Sequence, residues 1–134
     1  MNISSYEELL AAAKQQPEPQ RLLFVFTQPE LPEGYTKVQI DRFHAGQGGV
    51  LTPKMVTDKA LNELGDFPDL VAESLQTGQD WKIVFVACLG GRGGVMPSTE
   101  EAQEPLKKMV EAINNGAVSP YLAYDRDGNQ VRFS

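Results

Sequence analysis

The chain has 134 residues, of which 41% are hydrophobic and 22% are charged, a length and a mixture typical of one globular domain with one core. The net charge of -6 argues against nucleic acid or an anionic membrane surface as a partner, because lysine and arginine must neutralise the negative charge of both. Cys88 is the single cysteine, which excludes an intramolecular disulfide and a multi-cysteine zinc site.

The N-terminal sequence MNISSYEELLAAAKQQ has no basic start followed by an apolar run, so we expect no secretory signal. No stretch approaches the roughly 18 apolar residues that cross a bilayer. These two features together favour a cytoplasmic location.

The first predicted element is an amphipathic helix over residues 5–15. Ser4 lies three residues before Glu7, which is the spacing of a capping box at a helix start. Pro17 and Pro19 end the helix. The apolar residues that recur at helical spacing are Tyr6, Leu9, Leu10 and Ala13.

Residues 21–26, RLLFVF, are apolar on both faces and predict a buried central strand. We expect a proline-rich loop over residues 28–34. Residues 36–45 fit two interpretations. The capping-box spacing of Thr36 and Gln39 favours a short helix, whereas the alternation of apolar and polar residues after Thr36 is typical of a strand. We favour the helix.

A glycine loop over residues 46–49 leads to residues 50–56, which predict an edge strand or an irregular one, because Pro53 lacks a donor N–H. Residues 58–76 predict a mostly helical segment with an apolar face. Gly65 and Pro68 divide that segment into two pieces, and proline suits the first turn of the second piece.

Residues 81–89, WKIVFVACL, form the strongest predicted strand, which we place beside the first one in the sheet interior. Ser98 precedes Glu101 by three residues and predicts the start of the last helix. Asp127 and Gly128 between two β-rich runs predict a hairpin turn. The apolar stripe of the last helix comprises Leu106, Met109, Val110 and Ile113.

The alternation of helices and doubly buried strands predicts an α/β single-domain sandwich, with about four to five strands covered by about three to four helices. Two strands joined through a helix usually pair in parallel. Because the C-terminal β-hairpin adds an antiparallel edge, we expect a mixed sheet.

One loop, residues 90–99, has the ingredients of an anion site. It leaves a buried strand and enters a helix, where open α/β sheets usually place ligands and where helix N–H groups attract anions. Arg92 offers a bidentate grip on a phosphate or carboxylate. The candidate ligand-binding residues are Gly90, Gly91, Arg92, Gly93, Gly94, Ser98 and Thr99.

The known phosphate fingerprints are absent from this loop. It contains no lysine for a P-loop, and Met96 stands where the dinucleotide fingerprint requires its third glycine. Glu100, Glu101 and Glu104 follow in the first turns of the helix and would repel an added anion. A flexible corner without a ligand is the favoured interpretation, and a binding site is the alternative.

No catalytic constellation or metal site is predicted. Cys88 and His44 are the only pair for a nucleophile–base dyad, but Cys88 lies in an apolar strand that we expect to be buried. The sequence DRDGN at residues 125–129 resembles part of a calcium loop, yet its glycine has the wrong offset. We expect no cofactor. For enzyme activity, we favour its absence over its presence.

Three stretches, YEELLAAAKQQPEPQRLLFVF, VAESLQTGQDWKIVFVA and LAYDRDGNQV, resemble a group of small proteobacterial proteins. Some members of that group carry the label of a ribonucleotide reductase alpha subunit. That catalytic subunit works through several cysteines and a large barrel, whereas this chain has only Cys88. The resemblance therefore implies no functional residues here.

Two functions follow as hypotheses. The first is a small non-catalytic domain that acts through a protein partner or as a homodimer, which requires an exposed apolar patch or an uncovered sheet edge near residues 50–56 or the final hairpin. The second is a binder of, or enzyme on, a small anionic ligand at residues 90–99, which requires a concave pocket with Arg92 directed into it.

Overall fold

A computed structural model gives the fold and describes residues 5–31, 34, 36–44 and 50–132. Four helices and four strands, with one short 3-10 helix, make up the described chain. In chain order they are α1 (Tyr6–Lys14), β1 (Gln20–Glu30), α2 (Lys37–His44), β2 (Val50–Ala60), the 3-10 helix (Leu61–Glu63), α3 (Phe67–Leu75), β3 (Ile83–Gly90), α4 (Thr99–Asn114) and β4 (Leu122–Asp125).

The four strands form one open sheet in the order β2-β1-β3-β4. Every neighbouring pair is antiparallel. The α/β class and the central position of β1 and β3 are confirmed, whereas the predicted mixed sheet with a parallel central pair is wrong. The reason is that β2 is a full strand that pairs with β1, so α3 joins β2 to β3 and these two parallel strands are separated by β1.

β1 is central because it pairs with β2 along one edge and with β3 along the other, and its consecutive residues are buried on opposite faces. Even-numbered residues such as Phe24 share one core cluster with α1 and α3. Odd-numbered residues such as Val25 share a second cluster with α4. The doubly apolar run RLLFVF therefore reflects helices that pack against both faces of this strand.

Helix starts follow the capping chemistry, with one shift in register. Ser98 and Glu101 form the predicted capping box of α4, and Thr36 exchanges hydrogen bonds with Gln39 at the start of α2, which confirms the helix there. At α1 the cap is Ser5, whose Oγ accepts from the N–H of Glu8 at 3.1 Å. The predicted Ser4 cap lies outside the described residues, as does the glycine loop at 46–49.

Two segment boundaries differ from the prediction. The loop expected at 28–34 begins only after Glu30, because β1 continues through Pro29 opposite Leu51. The segment expected to be mostly helical from 58 begins as the end of β2. Its second helix starts as predicted, since Asp66 caps α3 and Pro68 occupies the first turn.

The edge strand β2 has the irregularity that its proline predicts. Phe26 lies opposite Met55 while Thr27 lies opposite Pro53, so Lys54 is an extra residue that bulges from the ladder. Pro53 without its N–H is tolerated at such a position.

The C-terminal strand β4 is short, and the structure does not confirm the predicted hairpin as a pair of strands. Gly128 has a φ of 87° and donates its N–H to the carbonyl of Asp125. Beyond the turn, the described residues form isolated bridges, such as Tyr124 with Gln130, rather than a second strand.

Within the described residues, no helix has the length and apolar character needed to cross a bilayer.

Candidate functional site

The glycine-rich loop after β3 is a tight two-residue turn. Arg92 and Val95 exchange backbone hydrogen bonds at 3.3 and 3.0 Å. Gly93 and Gly94 between them have φ angles of 59° and 79°, and positive φ at both central positions is typical of a type I′ turn. The glycines therefore serve the turn geometry in the first place.

The backbone N–H groups of this turn are mostly engaged within the chain. Gly94 donates to Oε2 of Glu18 at 2.9 Å, so a carboxylate of the protein already occupies the position of an anion. Gly91 donates to the carbonyl of Pro19 at 2.8 Å. An external anion would have to displace Glu18 before the backbone could bind it.

Gly91 is the one position of the loop at which a side chain has no room. A Cβ there would collide with the carbonyl oxygen of Val95 and lie 3.3 Å from that of Pro19. The close approach of the loop to the start of β1 thus depends on glycine.

The two hydroxyl residues of the prediction have partners of their own. Ser98 caps α4 through Glu101. Thr99 accepts a hydrogen bond from Arg21 and donates one to Asp58, each at 2.9 Å. Because Arg21 also pairs with Asp58 at 2.9 Å and both side chains are nearly buried, Thr99 belongs to a structural network that ties α4 to the sheet.

A cavity of about 320 Å³ nevertheless lies beside the turn, lined by Leu89, Gly90, Gly91, Arg92, Val95, Met96, Pro97 and Glu101. Arg92 is exposed, and its guanidinium forms no ion pair with the described residues. Of the seven predicted ligand-binding residues, the structure brings Gly90, Gly91 and Arg92 together in this cavity. Gly93 and Gly94 form the turn, and Ser98 and Thr99 point to other partners.

Cys88 and His44 show no dyad within the described residues, because the side chain of His44 lies outside them. Cys88 is exposed, contrary to the prediction that it is buried. Partial desolvation of the thiol raises the pKa of Cys88, which opposes the thiolate that a nucleophile needs. Within the described part of the chain, no group of three or more metal-ligating side chains comes together.

The DRDGN segment uses its first carboxylate for the turn itself. Oδ1 of Asp125 accepts from the N–H groups of Asp127 and Asn129 at 2.9 and 3.0 Å. The same region carries an ion pair of Arg126 with Asp80 at 2.8 Å. This arrangement closes the turn.

A second concave surface lies at the edge of the sheet, and we name it the β2–α3 groove. Its cavity of about 230 Å³ has an apolar floor of Phe26, Met55 and Leu70, and Lys59 pairs with Glu73 at 2.6 Å on its rim. The remaining lining residues are Val56, Thr57, Ser74 and Thr77. Sequence reasoning missed this groove, because α3 and β2 are brought together only by the fold.

One backbone hydrogen bond shows which residues of β1 bond with β3 and which bond with β2. The N–H of Gly91 donates to the carbonyl of Pro19, so odd-numbered residues of β1 direct their backbone groups toward β3. Even-numbered residues of β1 therefore direct theirs toward β2.

This alternation determines which backbone N–H and carbonyl groups of β2 face away from the sheet. Thr57 lies opposite Phe24, an even-numbered residue, and bonds with β1. Its neighbours Val56 and Asp58 must direct their N–H and carbonyl groups away from the sheet. No described strand pairs with them, because β2 is the end of the strand order.

The wall of the groove is held by a buried indole. Trp81 is completely buried, and its Nε1–H donates to Oγ of Ser74 at 2.7 Å. The hydroxyl of Ser74 in turn donates to the carbonyl of Val71 at 2.7 Å. This chain of bonds fixes α3 beside the start of β3, which positions the helical side of the groove.

Comparison with known proteins gives no functional lead: no family model, no curated protein and no solved structure matches this chain.

Proposed function

We propose that the protein is a non-catalytic interaction domain and that its binding surface is the outer edge of β2 with the adjacent β2–α3 groove. The observation that carries the proposal is the pair of outward-directed backbone residues, Val56 and Asp58, on a strand with no described partner on that side. Such an edge is a template for an added strand.

Two further observations support this surface. Val56 is 45% exposed and Val50 is 47% exposed, so apolar side chains lie along the same edge. The groove beside β2 offers an apolar floor for a side chain of the added strand. The finer architecture that we propose, a sandwich with a hairpin at the C-terminal end, would protect the opposite edge and leave β2 as the open one.

A proline substitution tests the proposal without breaking the sheet. The N–H of Val56 points outward, so Val56→Pro removes a donor from the binding edge while leaving the β1–β2 ladder intact. Val56→Thr is the matched control, because threonine has nearly the same shape and keeps the N–H.

The assay is selection of extended peptides from a random displayed library on the wild-type protein, followed by binding measurements on both variants. We expect the selected peptides to bind wild type and Val56→Thr alike and to lose at least tenfold in affinity for Val56→Pro. Equal binding to folded Val56→Pro would refute the proposal. Sedimentation of wild type against Val56→Pro tests self-association, since a dimer formed through this edge would dissociate in the variant.

A small anionic ligand at the glycine turn is the second candidate, and the cavity beside Arg92 favours it. Because Gly91 and Gly94 donate their N–H groups within the chain, the ligand would bind through the guanidinium of Arg92, in a cavity that Glu101 also lines. We expect phosphate or citrate to raise the melting temperature of wild type and not of Arg92→Ala. A ligand at a hundred times its dissociation constant stabilises by about 2.7 kcal/mol. No shift for either anion would count against this site.

A further inference from the structure

The charges along the binding edge have a consistent order of exposure. Lys54 pairs with Glu30, and the carboxylate side chain is 42% exposed against 32% for the lysine. Lys59 pairs with Glu73, and here the values are 56% for the carboxylate and 20% for the lysine. In both pairs the negative partner is the more exposed one.

A third carboxylate continues this order at the far end of β2. Glu63 is 58% exposed, whereas Arg21, which lies 3.9 Å away, is 12% exposed. In these three pairs the carboxylate is therefore the more accessible partner, whereas Asp58, which pairs with Arg21 at 2.9 Å, is 10% exposed. The net charge of the whole chain, -6, acts in the same direction at longer range.

The spacing of these charges matches an extended segment. Lys59 and Glu73 line the groove, and Lys54, which pairs with Glu30, lies five residues from Lys59 on β2, which corresponds to roughly 15 Å at the rise of a strand. The cavity floor at Met55 lies between them. The edge thus presents one apolar depression between two lysine–glutamate pairs whose carboxylates are the more exposed partners.

We infer that the partner which adds to β2 is an extended segment with one apolar side chain, seated in the β2–α3 groove, between two flanking basic residues. This inference rests on the proposed function, since it describes what the same edge selects. The apolar side chain covers Phe26 and Leu70, and the basic residues share the carboxylates of Glu30 and Glu73 with the lysines that hold them.

Synthetic nine-residue peptides test this specificity directly. The reference peptide has a central leucine, lysine at both flanks and threonine elsewhere; one comparison peptide has glutamate flanks and another has aspartate in place of leucine. We expect fluorescence anisotropy to show at least tenfold tighter binding of the reference peptide than of either comparison peptide. Its binding should weaken as salt is added.

Variants of the protein locate the effect on this edge. Glu73→Gln and Glu30→Gln should each weaken the reference peptide about two- to fivefold, as expected for an exposed ion pair. The matched control is Glu104→Gln, because Glu104 is an exposed carboxylate on α4. A version of the reference peptide with alternate backbone nitrogens methylated should not bind, and this check does not depend on how any protein variant folds.

The outcomes separate this inference from the proposed function. Equal affinity for lysine- and glutamate-flanked peptides, or no effect of the two carboxylate variants, would overturn the inference. If library peptides of another composition still require the N–H of Val56, the proposed function stands although the inference about the partner fails. If the reference peptide binds folded Val56→Pro or binds in its methylated form, the edge itself is not the binding surface and both proposals fail.

Discussion

The substitution Ser74→Ala tests the bond that positions α3 against the sheet. Trp81 is completely buried, and Oγ of Ser74 is the acceptor for its indole N–H at 2.7 Å. Alanine removes the acceptor and leaves a buried donor without a partner. A buried donor without a partner lowers the free energy of unfolding by about 1–3 kcal/mol. This loss is larger than the net contribution of a typical hydrogen bond, which is roughly 1 kcal/mol.

A double-mutant cycle with Trp81→Phe separates this bond from the packing of the ring. Trp81→Phe alone destabilises the protein because the smaller phenyl ring makes fewer apolar contacts. The substitution also removes the indole N–H. In the Trp81→Phe background, Ser74→Ala should therefore cost less than it does in wild type. We expect a coupling energy of about 1–2 kcal/mol between the two positions.

The assay is equilibrium unfolding in urea, followed by circular dichroism so that the signal does not depend on tryptophan. A loss of about 2 kcal/mol should lower the midpoint by roughly 1 M at the slopes usual for small domains. The reasoning is refuted if Ser74→Ala changes the free energy of unfolding by less than about 0.5 kcal/mol, or if its cost is the same in both backgrounds. Either result would mean that water or another group satisfies the indole.

Three further predictions concern the ion network, the glycine turn and the buried phenol of Tyr124. Asp58→Ala should lower the free energy of unfolding by about 1–3 kcal/mol, because it leaves the nearly buried guanidinium of Arg21 short of its main partner; urea unfolding measures the loss, and an unchanged midpoint would contradict it. Gly91→Ala should cost at least about 2 kcal/mol in the same assay, since its Cβ collides with backbone, while Gly94→Asn should cost less because asparagine tolerates positive φ. Burial raises the pKa of Tyr124 from 10.0 to about 12, so the neutral phenol is favoured in the folded state. The resulting stability is complete below pH 10 and is lost as pH rises toward 12, by up to about 1.4 kcal/mol per pH unit; ultraviolet absorbance of the phenolate at pH 11 should find Tyr124 still neutral.

The two central strands were predictable because their signal is local. Residues 21–26 and 81–89 are apolar on both faces, and only a strand covered on both sides satisfies such a run. Their relative direction was not predictable in the same way. Residues 57–60 are extended because they pair with β1, and their own sequence pattern does not show this. A helix between the two central strands implied that these strands are parallel. The full-length β2 between them along the chain makes them antiparallel instead.

The candidate sites likewise have some features that the local sequence predicts and others that depend on contacts between distant segments. The glycines after β3 predict a corner between a strand and a helix, and the structure has a turn there, with Gly93 and Gly94 at positive φ. The sequence does not show that Glu18, more than seventy residues away, supplies the carboxylate that accepts from this turn. It also does not show that Thr99 faces Arg21 and Asp58 instead of the loop, because hydrogen-bond partners of this kind are fixed only when distant segments pack.

The sequence by itself determined the α/β class, the helix starts at Ser98 and Thr36, the central strands and the irregular edge strand at Pro53. These features depend on periodicity, capping and the missing N–H of proline, which act within a few residues. Only the tertiary structure decided that all strand pairs are antiparallel, that Val56 and Asp58 face outward, and that α3 forms a groove beside them. These properties depend on which segments pair and in which register, and pairing between distant segments is governed by the whole core rather than by any one stretch.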